Sequence, residues 1–562
     1  MEKSEDLHNP AREDQTRHST SSSGNNTSDE ESSISSQSHP SRSPTNRNNR
    51  ANSDTYSLGD NGWESIRAPA NGMSMTRTIS RRESALSRIR SRPVPQFTHP
   101  LAHVKTTEDQ IVDFDGPDDP YRPINWPMKK KIITTMLYGC VTMSATWASS
   151  SYSSGTRQVA EQFNIGTQTA TLGTTLFLVG FGIGPLLWAP LSEVYGRRQA
   201  VLIPMFIAMC FSFGSAVAKD VQTLMITRGV LGDLYAPTER GIAMAGYAMA
   251  VVGGPVLGPI VSAALVQDPS LGWRWTEYVT AFIQIFFLIL AVIFVDESYP
   301  PKLLIYKARR LRHETGNWAL HAKFEEWDVS IAELSRKFLV RPIQLICTPI
   351  CFLVALYASF CYGILYMQLG AIPIIFREIR GWGTFVSSLP FICILLGAIL
   401  GCSANVYNQL LYNKAYHAAG NRAVPEKRLP PMMVGSVIFS GGQFIIAWTG
   451  GNTSIHWIVP CIGLVLLGTG FFTIFQAALN YLVDTFTMYA ASAIAANTFL
   501  RSMFAAAFPL VVGPLYHNIG VGPGSSITGG FAALLIPVPF IFYTYGKRIR
   551  ARSKWSKASV YD

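Results

Sequence analysis

Eleven long apolar segments and one segment of about half their length dominate this 562-residue chain. A helix that crosses a hydrocarbon layer of roughly 30 Å needs about 20 apolar residues, because each residue advances the helix by about 1.5 Å. With 48% hydrophobic and only 15% charged residues, the chain is predicted to be an all-α polytopic membrane protein. The long segments are approximately residues 132–150, 169–189, 200–218, 242–266, 278–295, 343–369, 384–404, 432–449, 455–483, 489–515 and 527–545.

The short segment, 221–232, is the weak point of this pattern. As a helix it reaches only about 18 Å, and it carries Arg228, a residue type that costs about 2.5–3.5 kcal/mol at the centre of a membrane helix. Basic residues nevertheless cluster in alternate loops, which predicts that both termini and the middle loop are cytoplasmic. Two cytoplasmic termini require an even number of crossings, so we predict twelve spans with a truncated span 4.

A weak internal repeat also indicates two related halves. The segments LGDLYAPTERGIAMA (231–245) and LVDTFTMYAASAIAA (482–496) both place an aspartate two residues after a leucine, so Asp233 corresponds to Asp484. The apolar stretch before the first copy is shorter, which predicts that a dozen or more residues are missing between Arg228 and Gly229. Two six-helix halves are typical of secondary transporters with parallel repeats, whose substrate lies between the halves near the midplane.

The predicted organisation has five parts: a tail (1–110), an N-terminal half (111–296), a middle loop (297–342), a C-terminal half (343–546) and a second tail (547–562). The first tail is too polar to fold on its own and is predicted to be disordered. Ser80 and Ser84 follow arginines there and are candidate phosphorylation sites, the alternative being a basic tail attracted to anionic membrane lipid. The middle loop predicts an amphipathic helix at the inner leaflet, or simply a tether.

The turn after the second span reads APLSEVYGRRQAV (189–201). It resembles the loop signature of the major facilitator superfamily, in the form found in fungal twelve-span drug:proton antiporters, and matches it at Gly196, Arg197 and Arg198. Glu193 supplies the acid of the signature, whereas Ala189 and Val194 replace its first Gly and its Arg. A carboxylate beside a helix N-terminus can latch one side of a transporter, and Glu193 is the predicted latch.

The fifth span contains GGPVLGP, which resembles the antiporter signature of the same family at Gly254, Pro255 and Gly258. The resemblance extends through GPDDPYRPINWPMKKK, GWRWTEY, DESYPPKLLIYKARRLRHETGN, VPEKRLPPM and YAASAIAANTFLRSMFAAAFPL, and so covers most of the chain. It implies the major facilitator fold, export and coupling to protons. It also implies that an arginine matching Arg228 lines the central cavity, on a span that is longer in the family than here.

Polar residues inside the spans give the candidate substrate site. Asn497 and Arg501 share one face of span 11, and a guanidinium at membrane depth should face the protein interior or a wet cavity, with Asp484 as a possible partner. The pairs Tyr362 with Tyr366 and Phe472 with Gln476 are candidates for an aromatic wall, the alternative being core packing. The predicted coupling carboxylates are Glu193, Asp233, Glu239 and Asp484.

No phosphate-binding loop, metal-ligand cluster or catalytic constellation is recognisable in the sequence, so we expect no cofactor, no enzymatic activity and no nucleic-acid partner. The sequence predicts a plasma-membrane exporter, driven by proton antiport, of amphipathic drugs, toxicants or a secondary metabolite. Two alternatives stay open, namely a proton-coupled importer and a non-transporting family member inactivated by its short span 4. A vacuolar location is also compatible with the sequence.

Overall fold

The computed structural model describes residues 110–232, 243–326, 336–420, 422–553, 555–556 and 559, all within one compact unit, Ala68–Asp562. Four sequence candidates, Ser80, Ser84, Asp233 and Glu239, lie outside the described residues. Throughout the described ranges the regular structure is helical, and pairing of extended backbone is limited to one isolated bridge, between Ile111 and His321.

Helices occupy all twelve predicted spans. They are span 1 (Met128–Ser151), span 2 (Thr167–Tyr195), span 3 (Arg197–Ala216), span 4 (Val221–Gly232), span 5 (Ala243–Gln267), span 6 (Gly272–Phe294), span 7 (Pro349–Pro373), span 8 (Phe391–Ala418), span 9 (Pro430–Gly450), span 10 (Ile458–Phe486), span 11 (Ala490–Asn518) and span 12 (Val521–Leu534, continued by Pro537–Arg552). Further helices lie between spans, at Thr156–Phe163, Pro300–Thr315 and Arg341–Ile346.

Ten of the described helices are long and apolar enough to cross a membrane, one fewer than the eleven predicted. Span 1 has 24 residues but is less apolar than these ten helices, because its second half is rich in serine and threonine. Those hydroxyls are buried inside the protein, as at Thr146, Ser149 and Ser150, so they do not face lipid. Span 4 has 12 described residues and ends where the described region stops, so its truncation stays a prediction.

Helix boundaries depart from the apolar segments where proline or a polar extension intervenes. The segment predicted from residue 343 is divided, because Arg341–Ile346 is a separate short helix and span 7 begins at Pro349. Span 8 continues to Ala418, well beyond its apolar segment. Span 12 is interrupted before Pro537, which lacks the backbone N–H that a continuous helix needs.

The helices pack as two sets of six with the same internal pairing. Span 1 packs on span 5 as span 7 packs on span 11, span 2 on span 4 as span 8 on span 10, and span 3 on span 6 as span 9 on span 12. Span 2 meets span 11, and span 5 meets span 8, across the boundary between the two sets. This is the arrangement of a transporter built from two parallel repeats.

The segment just before span 1 packs on the helix that follows span 6. Val112 joins one apolar cluster with Ile305 and Ala308 of Pro300–Thr315, and its amide donates to the carbonyl of His321 at 2.8 Å. The sequence placed an amphipathic helix of the middle loop on the inner leaflet. A helix is present at Pro300–Thr315, and Ile305 and Ala308 on its apolar face pack on Val112. Its contact with the inner leaflet stays a prediction.

A buried ion pair fastens this contact. The Lys307 ammonium lies 2.9 Å from Oδ2 of Asp119, and both side chains are almost fully buried. Burial raises the pKa of the Asp119 carboxyl, but the amides of Asp115 and Tyr121 and the Lys307 ammonium outweigh it, so the pKa lies below its usual range. The pair therefore stabilises the contact above the ordinary aspartate pKa of about 3.9, and this contribution is lost as the pH falls through the lower, folded-state pKa.

We predict that Asp119→Asn loosens the helix Pro300–Thr315, since the Lys307 ammonium then keeps only one charged partner, the exposed carboxylate of Asp115 at 2.8 Å. The expected cost is about 1–3 kcal/mol of local stability. Hydrogen exchange of the amides of this helix measures it. Asp118→Asn, at an exposed neighbouring position, is the matched control and should leave the exchange unchanged. Equal exchange in the two variants would contradict this role of the ion pair.

Candidate functional site

A buried arginine marks the middle of the helix bundle. Arg501 lies near the middle of span 11 and is 2% exposed. Its guanidinium carbon is 4.5 Å from the ring centroid of Tyr362 in span 7 and 4.9 Å from that of Phe475 in span 10. Cation–π contacts at such distances are worth up to about 2 kcal/mol when desolvated. Three helices of the C-terminal set thus meet around one positive charge.

The aromatic wall around Arg501 agrees only partly with the predicted pairs. Tyr362 and Tyr366 lie together, with their ring centroids 5.1 Å apart. On span 10, however, it is Phe471 and Phe475 that pack on Tyr362, at 5.9 Å and 6.2 Å, and not the predicted Phe472. Two side chains of span 10 that are four residues apart do pack on Tyr362, but they are shifted by one residue from the predicted pair. This shift corresponds to about 100° of rotation around the helix axis.

Phe472 and Gln476 belong to the neighbouring face of span 10. The Cβ of Phe472 would lie 3.0 Å from a Cβ added to Gly401 of span 8, so this side of the helix packs on span 8. Gln476 is buried, and its Oε1 has no hydrogen-bond partner among the described residues. Asn497, one turn from Arg501, is fully buried, and its Nδ2 and Oδ1 atoms also have no hydrogen-bond partner among the described residues.

Asp484, the predicted partner of Arg501, is engaged elsewhere. Its Oδ2 accepts hydrogen bonds from Nε of Arg428 at 2.9 Å and from the hydroxyl of Tyr412 at 2.7 Å. Arg428 also lies 3.4 Å from the Tyr412 ring centroid. Asp484 therefore ties the end of span 10 to span 8 and to the turn before span 9, away from the midplane.

A second buried arginine has a complete set of partners. Arg228 of span 4 forms an ion pair with Glu277 of span 6, and both side chains are essentially inaccessible. Its Nε donates to the carbonyl of Gly173 and its NH2 group to that of Ala148, both at 3.0 Å, and the Tyr152 ring centroid lies 4.2 Å away. The sequence analysis missed Glu277, although it stands in the segment GWRWTEY. A search for an acidic partner of Arg228 at the ends of the predicted spans would have found it.

A carboxylate does cap a helix N-terminus at the predicted latch, but it belongs to Glu297. The backbone amides of Arg197 and Arg198, which open span 3, donate to its two carboxylate oxygens at 2.9 Å and 3.2 Å. Gly196 allows the Glu297 carboxylate to approach, since a Cβ at this position would lie 2.3 Å from it. Gly196 also has a positive φ, which favours glycine. Arg198 also donates to the carbonyls of Val295 and Val292, which fixes the end of span 6.

Glu193 lies on the same side, near Tyr299. Burial, and to a smaller extent the Glu193 carboxylate, raise the pKa of the Tyr299 phenol to about 12. The guanidinium of Arg197 lies 5.6 Å from the Tyr299 ring centroid. The latch role of Glu193 stays a prediction, since the helix terminus that the structure shows capped is held by Glu297.

The span 5 motif provides a close contact with span 1. A Cβ on Gly254 would lie 2.1 Å from Oγ1 of Thr146, and one on Gly258 would lie 2.4 Å from Oγ of Ser150. Ser150 donates to the carbonyl of Gly254 at 3.2 Å. Only glycine allows this approach, which permits hydrogen bonds between the helices. Pro255 lies inside the helix between the two glycines.

Direct hydrogen bonds join the two sets of helices. The hydroxyls of Ser149 (span 1) and Tyr366 (span 7) are 2.8 Å apart and buried. Thr175 of span 2 donates to the carbonyl of Ala506 in span 11 at 3.0 Å. The amide of Phe385, before span 8, donates to the Gln267 side chain at the end of span 5. Tyr366 thus links the aromatic wall around Arg501 directly to the other half.

A separate apolar cavity of about 420 Å³ opens beside this boundary. It lies between spans 5 and 8 and is lined by Met249, Ile399, Cys402, Ser403, Val406, Tyr407 and Leu410. Tyr407 and Leu410 are among the exposed large side chains, so this cavity lies on the outer surface of the bundle, unlike the site of Arg501.

The family model of the major facilitator superfamily matches residues 136–509, which is more than half of the chain. This chain belongs to that superfamily. Its family is therefore one of multi-pass membrane transporters and not of enzymes. The xylose transporter XylE from E. coli, in a partially occluded inward-open conformation, has a similar fold, with a TM-score of 0.52 and 18% identity over 74% of this chain and 98% of that one.

Several fungal members of the superfamily are similar over most of their length. The efflux pump bik6 of Gibberella fujikuroi is 46% identical over 467 residues, covering 80% of this chain and 96% of the relative. The multidrug transporter FLU1 of Candida albicans is 38% identical, covering 86% and 82%. The citrinin biosynthesis cluster transporter mrr1 of Monascus ruber is 39% identical, covering 79% and 92%.

We predict that Gly254→Ala destabilises this superfamily member, because its Cβ would overlap Thr146 and the backbone nitrogen of Trp147, 2.5 Å away. The expected loss is about 1–3 kcal/mol, seen as a lower unfolding temperature of the purified protein. Gly253→Ala is the matched control, since the nearest atom to its Cβ is Met143 Sδ at 3.9 Å. Similar unfolding temperatures for both variants would show that spans 1 and 5 do not depend on this contact.

Proposed function

We propose that this transporter exports amphipathic small molecules across the plasma membrane in exchange for protons, with both termini in the cytoplasm. The observation that carries the proposal is the buried Arg501, surrounded by Tyr362 and Phe475 at the middle of the bundle. Mid-depth between the two halves is where transporters of this architecture bind substrate. The similarity to proteins named as an efflux pump and a multidrug transporter favours export over uptake.

The contacts between halves are suited to alternating access. Ser149–Tyr366 and Thr175–Ala506 are single hydrogen bonds between rigid helices, and each is worth only about 0.5–1.5 kcal/mol net. A substrate that binds next to Tyr366 can offset the loss of such bonds when the halves move apart. Within the N-terminal half, by contrast, the glycine contacts of spans 1 and 5 are too close to separate easily.

Glu277 is the proposed proton carrier. Its carboxylate is buried inside the N-terminal half and forms an ion pair with Arg228. If span 4 moves within the N-terminal half and carries Arg228 away from Glu277, an unpaired carboxylate would remain in an apolar interior, and taking up a proton removes that cost. Glu277 is 1% exposed, whereas Glu193 and Asp484 are only partly buried.

The short span 4 gives the second candidate function, that of a non-transporting family member. The apolar segment of span 4, residues 221–232, is about half as long as the apolar segment that precedes the matching Leu482 in span 10. The alignment with bik6 has 467 positions, whereas it includes only 80% of the 562 residues of this chain, which is fewer than 467 residues. The alignment therefore contains positions at which bik6 has a residue and this chain has none. Sequencing the transcript across Arg228 and Gly229 tests whether the shorter chain is the one made.

We predict that cells that lack their own drug pumps accumulate less Nile red, a neutral amphipathic dye, when they make this protein, and that a protonophore removes the difference. Glu277→Gln should abolish proton-driven efflux, because its amide cannot exchange a proton. Glu161→Gln, an exposed carboxylate on the helix Thr156–Phe163, is the matched control and should export normally. Quantifying protein in the membrane fraction excludes poor expression as the cause.

Dye accumulation equal to that of the empty strain, with the protein present in the membrane, would favour the non-transporting function. Higher accumulation than in the empty strain would indicate uptake. Efflux that Glu277→Gln leaves intact would remove Glu277 from the coupling mechanism without affecting the proposal of export.

A further inference from the structure

The two buried arginines differ in how their charge is compensated. Arg228 has a carboxylate, two backbone carbonyls and an aromatic ring around it. For Arg501, the partners in the described part of the chain are the rings of Tyr362 and Phe475, and no carboxylate lies within ion-pairing distance there. Its Nε is fully buried without a hydrogen-bond acceptor.

This difference matters because the interior has a low dielectric constant. Burying an unpaired ion costs several kcal/mol even after relaxation, whereas cation–π contacts return up to about 2 kcal/mol each. An aromatic ring also offers no acceptor comparable to a carboxylate for the N–H groups of a guanidinium. The site around Arg501 is therefore short of one negative charge.

Other polar groups nearby are also short of partners. Both amide atoms of Asn497, one turn away on the same helix, and the hydroxyl of Tyr362, whose ring contacts Arg501, are buried and unsatisfied among the described residues. Buried polar groups are rarely left without hydrogen bonds, so such a cluster calls for a ligand that supplies oxygen atoms. Tyr362, Tyr366 and Phe475 add flat apolar surfaces beside it.

We infer that this site binds aromatic organic anions through a carboxylate or phenolate group. The guanidinium of Arg501 holds the anionic oxygens, the Asn497 amide and the Tyr362 hydroxyl complete the hydrogen bonds, and the aromatic side chains pack on the ring of the substrate. This inference rests on the proposed function, since it assigns a substrate class to the same site. Cationic aromatic compounds are disfavoured there by repulsion from Arg501.

The test compares two ligands that differ only in charge, naphthalene-2-carboxylate and naphthalene-2-carboxamide, by calorimetric titration of the full purified chain at neutral pH. The wild-type protein is expected to bind the carboxylate at least about tenfold more tightly than the amide, because a charge-assisted bidentate contact is the stronger one. Acetate, which carries the charge without the ring, should not displace the carboxylate at the same concentration.

Three variants assign the preference to Arg501. Arg501→Gln should bring the affinity ratio of the two ligands close to one, and Arg501→Lys should leave an intermediate ratio, since lysine keeps the charge but not the planar fork. Asn497→Asp should also remove the preference, because it places a carboxylate one helical turn from the intact arginine. Arg157→Gln, at an exposed position, is the control and should keep the wild-type ratio.

Equal binding of the two ligands by the wild-type protein would overturn the inference, as would an unchanged ratio in both Arg501→Gln and Asn497→Asp. The result is independent of transport. If the protein exports Nile red but shows no preference for the carboxylate, only the substrate class is wrong. If it prefers the carboxylate but exports nothing, the proposed export fails and the binding site stands.

Discussion

The free energy of burying a guanidinium inside an apolar bundle is the constraint on which this structure depends. Arg228 meets it with Glu277, the carbonyls of Gly173 and Ala148 and the Tyr152 ring, so one residue holds spans 1, 2, 4 and 6 together. Arg501 meets it only in part, through Tyr362 and Phe475. The charge of the first arginine is therefore compensated by a carboxylate, whereas the second has only aromatic partners among the described residues.

The polar side of span 1 connects these two regions. Its hydroxyl side chains face inward, where Ser150 donates to the carbonyl of Gly254 and Ser149 meets Tyr366. One helix thus packs tightly against span 5 within its own half and makes a single buried hydrogen bond to the other half. This combination, a rigid half with a weak bond across the boundary, is what a rocking movement around a central site requires.

Much of the fold could be predicted from the sequence, because a membrane-spanning helix requires a long apolar segment wherever it occurs. The errors came from features that hydropathy does not report. The serines and threonines of span 1 reduce its apolar character, yet they face the protein and do not prevent packing. Prolines divided span 12 and separated Arg341–Ile346 from span 7.

The candidate site was harder to predict, because partner choice depends on three-dimensional placement. Helical spacing correctly joined Tyr362 to Tyr366 but could not distinguish the face of Phe472 from that of Phe475. Asp484 was expected to be a possible partner of Arg501. Its partner in the structure is instead Arg428, in the turn before span 9. Glu277 and Glu297 were missed because each lies beside a predicted span boundary, where charge usually indicates a solvated loop.

A structure of the protein with an aromatic carboxylate bound tests the central claim most directly. The account predicts that the carboxylate lies within hydrogen-bonding distance of Arg501 and Asn497, with its ring against Tyr362 and Phe475. A ligand in the apolar cavity beside Met249 and Tyr407, with the surroundings of Arg501 unchanged, would contradict it.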